Sequence, residues 1–399
     1  MNIEEAKKID AENHFEVYER MPILLKKGKG SRVWDSEGKE YIDVLAGIAV
    51  NSLGHCHPRV VNTIKEQASK LIHCTNIYYI EPQIKLEQLL IENSDMDRVM
   101  FLNSGTEAEE SAMKLARKWA SAQDRGGKII TMENSFHGRS LACVSATGQK
   151  KYRAGFDPLP EGFLTVPFND LAAVENAVDD SVCAVMVEPV QGEGGIVPAE
   201  RQYLAGLREL CDREDILLIF DEIQCGMGRT GTLFAYEEFD VIPDIITIAK
   251  ALGGGFPIGA LLATERVASA FEPGDHGTTF GGNPLATAAA FAAVSTLIDE
   301  KLPARAKKMG KYLMERLDEA MQETSHIVEV RGKGLMVGIV LDREGKDVVP
   351  AMMKRGVLSN CTAKNVIRFV PPLIISRGDI DTAVNVLVSA IEEVCSDGE

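Results

Sequence analysis

One lysine stands where an apolar stretch meets a run of glycines. Lys250 follows the sequence DIITIA and precedes ALGGG. A lysine ammonium is rarely buried without a partner, and desolvation lowers its pKa and makes the amine a nucleophile. The glycines permit a tight turn that aims the amine into a cleft. The stretch therefore predicts a reactive lysine at the end of a strand.

A carboxylate occupies the matching position after a second apolar run. Asp221 directly follows ILLIF and is expected to be partly buried. A buried carboxylate needs a partner, or it takes up a proton. Ligands of open α/β sheets bind beyond the carboxyl ends of the strands. We therefore expect Asp221 and Lys250 to face one ligand.

A third strand end is suited to a phosphate group. After RVMFLN, Ser104 and Glu107 predict a capping box at the start of a helix. Gly105 permits close approach of the backbone, and Thr106 adds a hydroxyl donor. A helix N-terminus of this kind suits a phosphate, although a capped helix without a ligand explains this segment equally well.

A fourth strand end, after KIITMENS, carries an aromatic ring and a guanidinium group. Phe136 could stack on a planar ligand, and Arg139 could hold a carboxylate with two hydrogen bonds. Taken alone, a core phenylalanine and a solvated surface arginine are the commoner explanations.

Together the four strand ends match the needs of pyridoxal phosphate. Its aldehyde reacts with a lysine, and its ring nitrogen needs an acidic partner if the ring is to act as an electron sink. Its phosphate suits a helix N-terminus and its ring suits a flat apolar neighbour. A lysine kept at a strand edge for structural reasons would explain Lys250 alone, so the sequence predicts this cofactor.

Two other motifs suggest ligands that their context argues against. Gly226, Gly228 and Gly231 spell GxGxxG, but they lie several residues beyond the strand. We predict no helix after them, because TLFAYEEFD is a poor helix opener, and no acidic strand end at the usual ~20-residue offset. The histidines and cysteine of GHCHP at 54–58 lack zinc-ligand spacing. We expect neither a dinucleotide nor a metal.

The order of apolar runs predicts an α/β fold. From about Pro58, short apolar runs alternate with helical stretches, as in a mostly parallel sheet covered by helices. After Pro284, two long helices, several strands and a final helix from about Arg377 indicate a smaller α+β unit. The N-terminal strands, with a hairpin turn at 36–38, are expected to join that unit. The predicted division is an N-terminal segment at 1–57, a large cofactor-binding domain at 58–290 and a small domain at 291–399.

Composition excludes several classes of partner. The 399 residues carry a formal net charge of -16, which repels nucleic acid and anionic membranes. The start, MNIEEAKKIDAENHFEVYER, lacks the features of a signal or transit peptide, and no apolar run approaches the ~20 residues that span a bilayer. The eight cysteines are scattered without CxxC, as in reduced cytosolic proteins. We therefore expect a cytoplasmic protein.

Ordered motifs from about Tyr18 to the end resemble the class III (ornithine-type) aminotransferases of fold type I. They are GIAVNSLGHCHP, FLNSGTEAEESAMKLAR, SFHGRSLACVSATGQ, EPVQGEGGI, DEIQCGMGRTG, AKALGGGFPIGA, GTTFGGNPLA and IRFVPPL. Within the family they are most similar to the enzymes that act on N-acetylornithine. The resemblance implies pyridoxal phosphate as cofactor and a homodimer with shared active sites.

The resemblance also implies a role for each matching cofactor residue. Lys250 would bind the cofactor covalently and shuttle protons, while Asp221 would pair with the ring nitrogen. Gln224 would reach the ring hydroxyl, and Phe136 would stack on the ring. Thr279 would reach the phosphate in the other subunit. The implied cofactor-binding set is Gly105, Thr106, Phe136, Asp221, Gln224, Lys250 and Thr279.

Four further residues are implied to bind substrate. Arg139, with Thr278 nearby, would hold the α-carboxylate of an ω-amino donor. Arg368 would hold the α-carboxylate of glutamate, and Glu193 would pair with Arg368 when that arginine is idle. The implied reaction is ping-pong: an amino group passes from the donor to the cofactor, and then to 2-oxoglutarate.

Three alternatives remain open. The donor could be succinyldiaminopimelate, ornithine or 4-aminobutyrate instead of N-acetylornithine, because the acyl-binding pocket cannot be deduced from the sequence. The reaction could be that of an aminomutase, although Arg139 and Arg368 favour two carboxylate substrates in turn. The chain could also be a non-catalytic relative, which the loss of Lys250 or Asp221 would have favoured.

Overall fold

The computed structural model describes residues 1–396. Its helices are α1 (Ile3–Asn13), α2 (Ala46–Ala49), α3 (Pro58–Ala68), α4 (Glu81–Glu92), α5 (Gly105–Ser121), α6 (Leu141–Ala146), α7 (Lys150–Arg153), α8 (Leu171–Ala177), α9 (Arg201–Glu214), α10 (Ala235–Phe239), α11 (Glu265–Ala268), α12 (Pro284–Asp299), α13 (Leu302–Glu323), α14 (Val348–Lys354) and α15 (Arg377–Ser396). Its strands are β1 (Leu25–Lys29), β2 (Arg32–Asp35), β3 (Glu40–Asp43), β4 (Arg98–Leu102), β5 (Lys128–Met132), β6 (Phe163–Val166), β7 (Val182–Val187), β8 (Val190–Gln191), β9 (Val197–Pro198), β10 (Leu217–Asp221), β11 (Ile245–Ile248), β12 (Gly259–Ala263), β13 (Ile327–Lys333), β14 (Met336–Leu341), β15 (Val357–Leu358), β16 (Asn360–Thr362) and β17 (Val366–Phe369).

A seven-stranded sheet forms the centre of the molecule, in the order β4-β12-β11-β10-β7-β5-β6. Strand β12 runs antiparallel to both neighbours, and the other pairings are parallel. Every residue of β7, β10, β11 and β12 is buried, which explains their continuous apolar sequences. The predicted mostly parallel sheet is confirmed, with the short strand β6 as an addition.

The carboxyl ends of the parallel strands bring the candidate residues to one edge. Lys250 follows β11, Asp221 ends β10, and Phe136 lies beyond β5. In the sheet register Asp221 pairs with Thr247, so the segments that leave β10 and β11 start side by side. Gly105 opens α5 just after β4. Parallel pairing alone therefore gathers residues that lie far apart in sequence.

The N-terminal and C-terminal segments form smaller sheets. Strands β1, β2 and β3 join β15 in one sheet, and β13, β14, β17 and β16 form an antiparallel sheet. The predicted hairpin turn is present, since the Gly38 N–H donates to the Asp35 carbonyl at 3.2 Å. The predicted boundary between 290 and 291 lies within the continuous helix α12, and the division into domains stays a prediction.

The glycines of GxGxxG have a structural use in joining two parts of the chain. Gly228 and Gly231 adopt φ of +87° and +117°. Between them Arg229 is fully buried, and its Nη1 donates to the carbonyls of Leu335 and Pro371. The prediction that no helix follows was wrong. The short helix α10 forms because the Glu222 carboxylate accepts from its first N–H groups.

Among the helices of residues 1–396, no segment has the length and apolar character needed to cross a membrane.

Candidate active site

A cavity of about 440 Å³ opens at the carboxyl ends of the central strands. Its walls come from the segments after β4, β5, β7, β10 and β11. Seven of the eleven predicted site residues line it, namely Gly105, Thr106, Phe136, Arg139, Asp221, Gln224 and Lys250. The other four, Glu193, Thr278, Thr279 and Arg368, do not line it, and their positions are described below.

Lys250 begins a 3₁₀ turn that leaves β11. Its φ of +44° is in the left-handed region that residues other than glycine seldom adopt. Such strain persists where the surrounding structure enforces it, and it is common at active sites. Burial lowers the pKa of the Lys250 amine; Glu193 opposes this shift and Arg368 adds to it. The amine is therefore more readily neutral, and more nucleophilic, than a free lysine.

Asp221 ends β10 with 3% of its surface exposed. Its Oδ2 accepts from His137 Nδ1 at 2.9 Å, and its Oδ1 accepts from the Ile223 N–H at 3.0 Å. Burial disfavours the charged form of His137, but the hydrogen bond and charge of Asp221, with the charge of Glu188, outweigh it and raise the pKa of His137. Two donors thus stabilise Asp221 as an anion at the cavity wall.

Glu188 is a second buried carboxyl group at the cavity, just after β7. It accepts from the Phe136 N–H at 3.0 Å and from the Gly192 N–H at 3.1 Å. Burial and then the charge of Asp221 raise the pKa of Glu188 to about 7. Through these two hydrogen bonds Glu188 connects the loop that contains Phe136 with the loop that contains Glu193.

The N-terminus of α5 forms one end of the cavity. Ser104 Oγ accepts from the Glu107 N–H at 3.2 Å, as predicted. The Glu107 carboxylate accepts from the Asn103 N–H at 2.7 Å instead of from Ser104, because that N–H lies within its reach, so the predicted capping box forms only in part. The first-turn N–H groups other than that of Glu107 have no partner within the helix backbone and suit an anion. A β-carbon on Gly105 would approach Ile223 Cδ1 to 2.8 Å, so a larger residue here would have to displace the Ile223 side chain.

Two aromatic rings and Arg139 form one wall. The rings of Phe136 and Tyr152 meet edge to face, with centroids 5.4 Å apart. The guanidinium carbon of Arg139 lies 4.2 Å from the Tyr152 centroid, and the Arg139 N–H donates to Thr106 Oγ1 at 3.2 Å. Arg139 is exposed, so it can meet a carboxylate at the mouth of the cavity.

Arg368 lies beside the cavity on β17, fully buried. Its Nη1 donates to Glu193 Oε1 at 2.5 Å and to Gln224 Oε1 at 3.2 Å, and its Nε donates to Asn360 Oδ1 at 3.1 Å. Its Nη2 has no hydrogen-bond partner within residues 1–396. Burial would raise the pKa of Glu193, but the charge and hydrogen bond of Arg368 outweigh it and hold that pKa below its usual value. The predicted contact between Glu193 and Arg368 is thus present.

The two threonines after His276 lie at the other side. Thr278 Oγ1 accepts from Asn103 Nδ2 at 3.1 Å, and Asn103 lines the cavity. Thr279 is exposed and lies outside the cavity of its own chain. The structure therefore gives Thr279 no contact with its own site.

One group of three potential metal ligands is close enough to share an ion within residues 1–396. It consists of Glu109, His137 and Asp221, and not of the histidines and cysteine at 54–58. His55 instead bonds Asp43, with 2.7 Å between Nε2 and Oδ2.

The residues fit pyridoxal phosphate. Lys250 supplies a buried amine of lowered pKa for the aldehyde, and Asp221 supplies an anion for a ring nitrogen. Gly105 and Thr106, in the first turn of α5, line the cavity and present a helix N-terminus suited to a phosphate. Phe136 supplies the aromatic surface, half-buried at the wall. These four groups share one cavity, as the cofactor requires.

Sequence reasoning missed four residues that shape the site. Glu188 follows the buried run VCAVMV as Asp221 follows ILLIF, so the same argument would have found it. His137 lies in the quoted segment SFHGRS, but its partner could not be inferred. Glu109 and Tyr152 carry no comparable signal, because both are helix residues, on α5 and α7, that reach the site only through tertiary packing.

Comparison with known proteins agrees with this geometry. The family model described as aminotransferase class-III matches residues 15–391. An acetylornithine aminotransferase of Methanothermobacter thermautotrophicus is 53% identical, over 99% of this chain and 100% of the relative. The solved acetylornithine aminotransferase of Elizabethkingia anophelis has a TM-score of 0.89 at 35% identity, over 98% of this chain and 100% of that one. A solved ornithine aminotransferase of Toxoplasma gondii, with partial occupancy of PLP at its active site, has a TM-score of 0.95 at 37% identity, over 99% and 95% of the two chains.

Proposed function

The chain belongs to the class III aminotransferase family, and from that premise we propose that it transfers the side-chain amino group of N-acetylornithine to 2-oxoglutarate. The products are N-acetylglutamate semialdehyde and glutamate, which places the enzyme in arginine biosynthesis. The cofactor is pyridoxal phosphate. The observation that carries the proposal is the pair of arginines, one exposed and one buried, at a cavity that contains Lys250.

The cofactor, when bound, supplies the electron sink and carries the amino group between the two half-reactions. Lys250 binds it and moves the proton at the reacting carbon. Asp221 holds the ring nitrogen protonated, and His137 and the Ile223 N–H hold Asp221 in place. Gln224 lines the same cavity as Asp221, and its amide oxygen accepts a hydrogen bond from Arg368. Phe136, at the aromatic wall, would cover one face of the cofactor ring.

The two arginines divide the substrates by geometry. N-acetylornithine reacts through its side-chain amine, so its α-carboxylate lies far from the cofactor and meets Arg139 at the mouth. Glutamate reacts through its α-amine, so its carboxylate lies close and meets Arg368. The free Nη2 of Arg368 is a buried donor that a carboxylate can satisfy. Glu193 occupies Nη1 while the first donor is bound, and it swings away for glutamate.

Relatives named acetylornithine aminotransferase support the choice of donor. Two of them are 51% and 53% identical to this chain over nearly its full length. A second candidate donor is free ornithine, because the backbone also matches a solved ornithine aminotransferase closely. Succinyldiaminopimelate and 4-aminobutyrate stay in the comparison because each also carries a carboxylate several bonds away from its reacting amine.

Turnover of the four donors with 2-oxoglutarate, measured side by side, tests the proposal. We expect the highest kcat/KM with N-acetylornithine and none with any donor in Lys250→Ala. A higher kcat/KM with free ornithine would replace the donor but keep the reaction. Activity in Lys250→Ala equal to that of the wild type would overturn the reaction itself.

The enzyme acts as a homodimer with shared sites in this proposal. Thr279 is exposed, and its neighbour Phe280 is 60% exposed. The rings of Phe280 and His73 are in contact, with centroids 5.1 Å apart. The segment that follows His73 contains Tyr79, whose side chain is 98% exposed. Exposed apolar surface of this kind marks an interface. Sedimentation of wild type and Tyr79→Asp should show a dimer that the variant weakens, and a monomeric active wild type would contradict it. The cytoplasmic location stays a prediction of the sequence.

A further inference from the structure

A buried carboxyl group that the reaction has not yet used lies behind Asp221. Glu109, on α5, is 0% exposed. One of its oxygens, Oε1, accepts from the Thr247 hydroxyl, while Oε2 has no hydrogen-bond partner within residues 1–396. One oxygen of Glu109, one of Asp221 and a nitrogen of His137 lie within 4.8 Å of one another. Two carboxyl groups are therefore adjacent in the dry interior.

Two adjacent buried carboxyl groups cannot both carry a charge without a large cost. Asp221 has two N–H donors, whereas Glu109 has one hydroxyl. The proton shared by such a pair stays on the member with fewer donors, because its charged form is less well stabilised. Burial, and next the charge of Asp221, raise the pKa of Glu109 well above its usual value, against the hydrogen bond from Thr247. The hydrogen-bond donors and the neighbouring charges both indicate that Glu109 is the neutral carboxyl group.

We propose that Glu109 is a positioning residue that keeps a proton on Oε2 and donates it as a third hydrogen bond to Asp221. This role rests on the proposed function, because it concerns the partner of the cofactor ring. The donated bond stabilises the anion of Asp221. The proton between Asp221 and the ring nitrogen of the cofactor would therefore stay on the nitrogen. Without it, that proton would shift toward Asp221 and the ring would be a weaker electron sink.

The other groups that face Glu109 do not replace this donor. Thr247 on β11 already donates to Oε1, and Cys143 on α6 donates toward the Thr106 carbonyl at 3.5 Å. Glu188 adds a further negative charge. His137 uses its Nδ1 for Asp221, and its Nε2 has no partner within the described part of the chain. Glu109 is thus the remaining source of a third donor.

Three variants separate the chemistry from the packing. Glu109→Gln keeps the shape and a donor but has no proton to lose. Glu109→Leu keeps the volume and removes the donor. Met113→Leu, one turn later on α5 and buried, is the control for a change in this helix because it conserves volume.

The first measurement needs neither substrate nor cofactor. The infrared difference spectrum of the wild-type apoenzyme minus Glu109→Gln, at neutral pH, should contain the band of a protonated carboxylic acid. The same difference with Met113→Leu should not. A carboxylate band in place of the acid band would show Glu109 charged and overturn the proposal. This result stands whatever the amino donor is, so it fails separately from the proposed function.

The second measurement follows the ring nitrogen. After reconstitution with ¹⁵N-labelled pyridoxal phosphate, the ¹⁵N shift should report a protonated ring in wild type and Glu109→Gln. In Glu109→Leu it should move toward the neutral ring, with a roughly 10- to 100-fold loss of kcat, the range of one hydrogen bond to a charged group. The loss should be equal in both half-reactions, because both use the same ring. An unchanged ¹⁵N shift in a folded Glu109→Leu would overturn the role, and if that variant does not fold, the infrared result decides.

Discussion

Arg368 and Glu193 form a buried ion pair in which one donor nitrogen of the arginine is left free. Arg368 is 0% exposed, its Nη1 lies 2.5 Å from Glu193 Oε1, and its Nη2 has no partner within residues 1–396. An unsatisfied buried donor is costly, so a substrate carboxylate that bonds it gains affinity. Arg368 can therefore bind a substrate carboxylate, and Glu193 competes with that carboxylate for the same guanidinium group.

Removal of Arg368 should affect one half-reaction far more than the other. A bidentate, desolvated arginine–carboxylate pair is worth about 2–4 kcal/mol, which is roughly 30- to 1000-fold in kcat/KM. Arg368→Ala should lose that factor with glutamate and much less with N-acetylornithine. Stopped-flow measurement of each half-reaction is the test, with circular dichroism as the check on folding. Equal losses in both halves would mean that Arg368 does not distinguish the substrates.

Removal of Arg139 should show the opposite preference. Its guanidinium lies over Tyr152 at the mouth of the cavity, where the distant carboxylate of the first donor would be placed. Arg139→Ala should reduce the N-acetylornithine half-reaction and spare that of glutamate. Arg139→Lys keeps the charge but lacks the planar guanidinium group. Its rate in the N-acetylornithine half-reaction should lie between those of the wild type and Arg139→Ala. A glutamate half-reaction that suffers as much would contradict the division of roles.

Neutralising Glu193 should release Arg368. Glu193→Gln keeps the size of the side chain and removes the charge that holds Nη1. We expect the glutamate half-reaction to become faster relative to that with N-acetylornithine. The ratio of the two single-turnover rates is the measurement, and a ratio that stays at the wild-type value would exclude a masking role.

Asp221→Asn should retain the cofactor and lose most of its transamination. A neutral amide cannot hold a ring nitrogen protonated, so the electron sink weakens. Absorbance of the bound cofactor checks retention, and single-turnover kinetics check the loss. A wild-type single-turnover rate in this variant would leave Asp221 with a structural role only.

Capture of the cofactor by apoenzyme should depend on pH through Lys250. Only the neutral amine reacts, so the rate should rise with pH through a pKa below that of free lysine. The charge of Glu193 raises that pKa and the charge of Arg368 lowers it. Glu193→Gln should therefore move the profile to lower pH, and Arg368→Ala should move it to higher pH. Shifts in the same direction for both variants would contradict the electrostatic origin. Borohydride reduction and peptide mapping should place the label on Lys250.

The sequence determined most elements of this protein and seven of the residues that line its cavity. Continuous apolar runs such as ILLIF and IITI predict fully buried parallel strands, and polar residues directly after them must lie at the sheet edge where ligands bind. Asp221 and Lys250 follow from that rule, whereas Phe136 gained its role only together with them. The short strand β6 and the helix α10 did not, because their formation depends on neighbours that are distant in sequence.

Tertiary structure alone decided which charges meet. His137 reaches Asp221 across 84 positions of sequence, so no local pattern could pair them. Arg368 reaches Glu193 across 175 positions, and only the family resemblance predicted that pair. Glu109 appears in the sequence as one more acidic residue of an amphipathic helix, yet packing places it fully buried behind Asp221. Burial and distance set the energy of a charge, and both are properties of the folded chain, not of residue type.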